Sequence, residues 1–231
     1  MFDIEPQYEA PSILRSLFSD RANADYLLQA AGHGLHMNNP YHNLQHELHV
    51  VYWSHVVATN ENSLRPKASN HYLVQGDLKA LAVASLFHDH NHSGGAERDT
   101  VNIQRAIQRV FTRDINLILE DEGINKETVR DLIRVTCFEN GAFRRRPRTL
   151  LEKSIRDADL MMVYSDPGQH VATGLFYETA GCHPTQYVDR SHAFLENAEM
   201  FTLMGKEMQR SRLTHAIKAW RPKFERATQS M

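Results

Sequence analysis

An all-α domain is the fold this sequence predicts, on three observations. Apolar residues recur at helical spacing along most of the chain, no stretch alternates apolar and polar residues as a half-buried strand does, and capping or turn residues separate the helical stretches. With 231 residues, 42% of them hydrophobic, the chain can bury a sizeable core, and one domain is expected.

In chain order, Pro6 and Pro11 break any early helix, and Ser12 caps a short one through Phe18 in an N-terminal arm. Asp20 or Asn23 caps a second helix carrying Tyr26, Leu27, Leu28 and Ala31, which stops near Gly32-His33-Gly34. The turn Asn38-Asn39-Pro40 launches a third helix. There His42, His46 and His49, at i, i+4 and i+7, share one face beside an apolar stripe of Leu44, Leu48 and Val51. Residues 59–75 then read as a surface loop.

Leu78 to Phe87 is a near-continuous apolar run, too short to span a membrane, and reads as a buried helix. It ends in His88-Asp89-His90-Asn91-His92, with Ser93-Gly94-Gly95 as a stop. Further helices are expected over 97–111, 114–122, 126–138 and 150–164, with a turn at Glu139-Asn140-Gly141. The tail from His192 to Glu225 spaces Phe194, Leu195, Met200, Met204 and Met208 at helical intervals, a stripe that reads as core.

A formal charge of −2 excludes general nucleic-acid binding held by counterion release. Cys137 and Cys182 are too few for a disulfide framework, and residues 1–5 show neither the charged start nor the apolar core of a signal peptide, so a cytoplasmic protein is expected. The informative excess is 14 histidines.

A buried carboxylate needs a counter-charge, and a divalent metal needs N and O donors brought from separate helices. His46, the pair His88-Asp89 and one carboxylate of Asp157-Ala158-Asp159 are of the right types. Asp157 and Asp159 fall on different sides of their helix, so only one can face such a site. Arg144, Arg145 and Arg146 precede that helix, and guanidinium forks match phosphate oxygens, although most charge runs are solvated loops.

Histidine, His-Asp and Asp, in that order in a helical chain, resemble the site of the HD-domain metal-dependent phosphohydrolase superfamily. More narrowly, Tyr41-His42-Asn43-x-x-His46-x-x-x-Val50, with His88-Asp89-x-x-His92 and Ala158-Asp159-Leu160, is similar to the cyclic nucleotide phosphodiesterase version, over a motif core of about 41–160. C-terminal helices at 190–226 would pack on that core.

The resemblance implies an HD-type helical domain in which His46, His88, Asp89 and Asp159 bind one divalent metal tightly (Mn, Mg, Zn, Fe or Ni). Asp89 would bridge to a looser second ion, with His92 beside that ion's water shell. His42 would be the general acid, and Asp89 would share the catalytic role by holding the metal that activates water. The substrate would be a small phosphorylated molecule, a nucleotide monoester or diester. Two departures stand out: Ser93-Gly94 replaces the Pro-Gly of phosphodiesterases, and no histidine lies between Ser93 and Gln169, which disfavours a diiron oxygenase. The alternative is a regulatory module that binds metal and nucleotide without turnover.

Overall fold

Described over residues 5–67, 69, 71–164, 174, 175, 178 and 193–229, the computed structural model is all-α apart from one small hairpin. Cys182 and the expected helix start at 190–192 lie outside the described residues. The elements are α1 (Pro6–Leu17), α2 (Arg21–Ala31), a 3-10 turn (Leu35–Asn38), α3 (Leu44–Ser63), α4 (Gln75–Phe87), α5 (Asp99–Val110), α6 (Arg113–Asp121) and α7 (Lys126–Val135). The hairpin β1 (Phe138–Glu139) and β2 (Ala142–Phe143) follows, then α8 (Leu150–Tyr164) and α9 (Leu203–Gln229), with a short helical stretch at 193–197. No helix among the described residues is long and apolar enough to cross a membrane.

Helix α3 is the post on which α8, α4 and α1 all pack, and α4 is covered on another side by α7. Every residue of α4 from Lys79 to Phe87 is buried, which is why it lacks an amphipathic pattern, whereas α5, α6 and α7 bury one stripe each. A second apolar cluster joins Val57, Leu160, Met161, Val163 and Tyr164 to Leu195, Met200 and Ala216, with Met204 and Met208 against it. The methionine stripe of the tail is therefore core.

Three local expectations are corrected, and the expected turn after α7 is found. Pro6 and Pro11 do not break α1: Pro6 occupies the helix start, where its missing N–H has no partner to lose, and Pro11 lies inside the helix. Buried Ala10, Leu14 and Leu17 pack that helix into the core, which offsets the cost of an interior proline, about 3 kcal/mol. The three histidines do not share a helix face, because Asn43 caps α3 through Oδ1 to the N–H groups of Gln45 and His46, leaving His42 ahead of the helix. Helix α3 runs on to Ser63 rather than stopping before Thr59, and buried Asn62 clasps the returning chain through paired bonds of 3.0 and 2.8 Å with the Leu73 backbone. The turn at Asn140-Gly141 closes a hairpin, both residues taking positive φ (56° and 80°) as a tight two-residue connection requires.

Candidate metal centre

The caps of two helices and the middle of a third meet at one point. Capping by Asn43 sets His46 in the first turn of α3, and α4 ends at Phe87 so that His88 is its C-cap, with Asp89 in the turn that follows. Asp159 comes from α8, where it faces the opposite way from Asp157. Nε2 of His46 lies 3.2 Å from both Asp89 Oδ2 and Asp159 Oδ1; Nε2 of His88 lies 3.0 Å from Asp89 Oδ2 and 3.6 Å from Asp159 Oδ1. One ligand atom from each of the four residues falls within 4.8 Å of the others.

The outer nitrogens are already engaged. Nδ1 of His88 donates to the Ser85 carbonyl at 2.8 Å, and Nδ1 of His46 contacts Met162 Sδ at 3.2 Å. In a neutral ring that leaves Nε2 as a lone pair, and the two Nε2 atoms sit 3.3 Å apart, facing two carboxylates. Four donors converging without a proton between them need a cation. With the four side chains alone, protons must play that part: burial opposes charge on the imidazoles, but Asp159 and Asp89 outweigh it, raising His46 to about 9 and His88 well above the ordinary range. Burial likewise opposes the carboxylates, and the imidazoles outweigh it, holding Asp89 and Asp159 well below the usual carboxylate range. A divalent ion supplies the same two charges without the protons, so the donor set fits one.

Asp157 has a different task. Its carboxylate accepts the Phe201 and Thr202 N–H groups and the Thr202 hydroxyl (2.6 Å), while Glu61 accepts the Leu203 and Met204 N–H groups. Two buried or half-buried acids thus hold the positive start of α9. Gly205 is required there, since a Cβ at that position would meet Asp157 Oδ2 at 2.3 Å.

His42 stands beside the metal group, its ring centroid 5.8 Å from that of His46. Its Nδ1 is 2.5 Å from Glu178 Oε2, and Glu178 Oε1 accepts the backbone N–H groups of Tyr41 (2.6 Å) and His42 (2.8 Å). Burial, then the neighbouring His92, lowers the His42 pKa against the pull of Asp89 and Glu178. Glu178 reaches this place past Gly95, whose φ of +82° and bare Cα admit the Glu178 carbonyl where a Cβ would stand 2.8 Å away. The sequence reading missed Glu178, which lies 136 residues from His42 with no motif around it.

His92 stacks on His42 at 3.8 Å rather than joining the four donors; its Nδ1 accepts the Gly94 N–H, and its Nε2 is 3.7 Å from Asp99. Asn39 ties the two histidine segments together by donating to the His42 and His92 carbonyls. His49 turns away to Gln7 Oε1 (2.8 Å), a packing role in which burial lowers its pKa to about 4.

Each arginine of the 144–146 stretch pairs with a glutamate. Arg144 pairs with Glu139 at 3.6 Å, Arg145 with Glu152 and Arg146 with Glu199. Arg145 also lines a separate cavity of about 690 Å³, together with Arg65, Arg148 and Lys153. Arg156 is buried and donates to the Val135 and Arg145 carbonyls, and burial lowers its pKa against the pull of Asp159 and Asp157.

No protein-family model matches this chain, and no curated protein matches it.

Proposed function

We propose that this protein is a metal-dependent phosphohydrolase of HD type, acting on a small phosphorylated substrate such as a nucleotide phosphomonoester or phosphodiester. The observation that carries the reading is the convergence of His46, His88, Asp89 and Asp159 on one point with His42, keyed to Glu178, beside it. The motif resemblance supports the same reading. When bound, a divalent ion supplies Lewis acidity toward a phosphoryl oxygen and lowers the pKa of a coordinated water.

The remaining work falls to the chain. Asp89 and Asp159 would hold the ion and balance its charge, while Ser85 and Met162 would fix the ring orientations of His88 and His46. Glu178 accepts a hydrogen bond from Nδ1–H of His42, so Nε2 is the nitrogen free to move a proton to the leaving oxygen. An incoming phosphate anion favours the protonated ring, opposing the burial that disfavours it.

The test is hydrolysis of bis-p-nitrophenyl phosphate and p-nitrophenyl phosphate by chelator-stripped protein titrated with Mn, Mg, Zn and Fe(II), beside an Asp89→Ala chain. Metal-dependent turnover abolished by the substitution supports the reading. Silence on both esters and on a nucleotide panel, with metal bound, would instead identify a binding module.

A further inference from the structure

Next to the four-residue group lies a second one that no motif points to. His36 from the 3-10 turn, Glu47 from α3 and His90 from the turn after α4 present ligand atoms within 4.8 Å of one another, with side chains as deeply buried as the core. Their relative exposures are 0%, 0% and 2%. Nε2 of His36, Nδ1 of His90 and both Glu47 oxygens lack a hydrogen-bond partner among the described residues. The nearest approach, His36 Nε2 to Glu47 Oε2, is a 3.5 Å charge contact without hydrogen-bond geometry.

Such an arrangement is expensive as it stands. Leaving a buried polar group unsatisfied costs about 1–3 kcal/mol, and more for a charged one. We propose that His36, Glu47 and His90 form a second, structural metal site for a divalent d-block cation of the zinc type. Two imidazole nitrogens and a carboxylate with both oxygens free offer four donor atoms, the number a closed zinc site uses. The Asn91 N–H reaches Nδ1 of His36 at 3.2 Å; a metal at Nε2 moves the ring proton to Nδ1 and gives up that long contact for a coordinate bond.

The site would add to a connection that Asn39 already makes between the His42 and His92 segments. Its ligands come from the segments that also carry His42, His46, and His88 to His92, so an ion there pins together the strands of chain that build the candidate metal centre. The rings of His36 and His90 already pack tilted against each other, centroids 4.7 Å apart, and the Asn91 side chain accepts the Leu35 N–H at 2.9 Å. The proposal does not rest on phosphohydrolase activity, because it concerns metal count and stability.

The experiment is metal counting by inductively coupled plasma mass spectrometry on the full chain. The protein is stripped with chelator and equilibrated with buffered Zn(II), alongside Glu47→Gln, His90→Gln and Asp159→Asn chains checked for fold by circular dichroism. Expected are two equivalents in the parent chain, and one in each variant. Only one equivalent in the parent chain, or no loss in Glu47→Gln or His90→Gln, overturns the proposal and leaves Glu47 a protonated buried acid. Should both variants fail to fold, the Asp159→Asn chain decides: one retained equivalent supports the second site, and none overturns it.

Discussion

Neighbouring residues of this chain serve two buried groups of opposite character. His46 and Glu47 are adjacent on α3, and Asp89 and His90 are adjacent after α4, yet the first of each pair enters one group and the second enters the other. In the group of His46, His88, Asp89 and Asp159, two imidazoles face two carboxylates, and the rings are keyed from behind by Ser85 and Met162. The group of His36, Glu47 and His90 has one carboxylate for two imidazoles, and four of its polar atoms have no hydrogen-bond partner among the described residues. The contrast separates two properties that burial alone confuses. On the proposed reading, charge balance with oriented donors suits a place that binds and works on a ligand, and orphaned donors suit a place completed by an added ion.

That comparison can be broken most directly by exchanging its halves. Asp89→Asn is expected to reduce metal-dependent phosphoester turnover to the chelator-treated background, whereas Glu47→Gln, which removes a pin of that centre and none of its ligands, lowers turnover only in part and lowers the melting temperature; the reverse pattern would swap the roles of the two groups. His42→Gln should slow hydrolysis of an alkyl phosphate ester by about 10²–10⁴-fold, the range for a general acid. It should slow p-nitrophenyl esters much less, because p-nitrophenolate departs without a proton, and equal loss on both would remove His42 from that role. For Glu178→Gln the same substrate pattern is expected at about 10–100-fold, the range for a residue that orients another.

Smaller effects probe the supporting frame. Asp157→Asn should leave the metal count unchanged and cost about 1.5–3 kcal/mol, as charged acceptors of buried bonds do. In a chain of this size that is a fall of roughly 2–4 °C in melting temperature per kcal/mol. A lost metal equivalent would mean that Asp157 and Asp159 are not separable. Last, burial raises and Lys79 with the Ser19 and Asp20 N–H groups more strongly lowers the pKa of buried Glu122, from 4.5 to about 2. A depressed carboxyl stabilises the fold fully above 4.5, and that contribution fades as pH falls toward 2. Denaturant unfolding at pH 7, 4.5 and 3 should show the decline, and Glu122→Gln should flatten it.

What could be read from sequence followed how locally it was encoded. The bounds of α8 and the burial of α4 are written in periodicity and in an unbroken apolar run. Asp157 and Asp159 could be assigned to opposite sides because a helix rotates about 100° per residue. Three histidines at helical spacing suggest one face, but Asn43 caps α3 and so places His42 ahead of the helix, a competition between two local signals that spacing alone does not decide. Glu178 and Glu47 were invisible for different reasons. The first meets His42 only through the path of the folded chain, and the second is an acid on a helix, a residue type ordinarily left in water.

The turn from His88 to His92 has one more consequence. Asn91, at φ +62°, lets successive side chains fan out: His88 and Asp89 to one group, His90 to the other, His92 onto His42. Each position could drift on its own over evolutionary time, but the spacing could not. One codon gained or lost would redirect every side chain beyond it, so a scan of single-residue insertions should find a gap in tolerated lengths here.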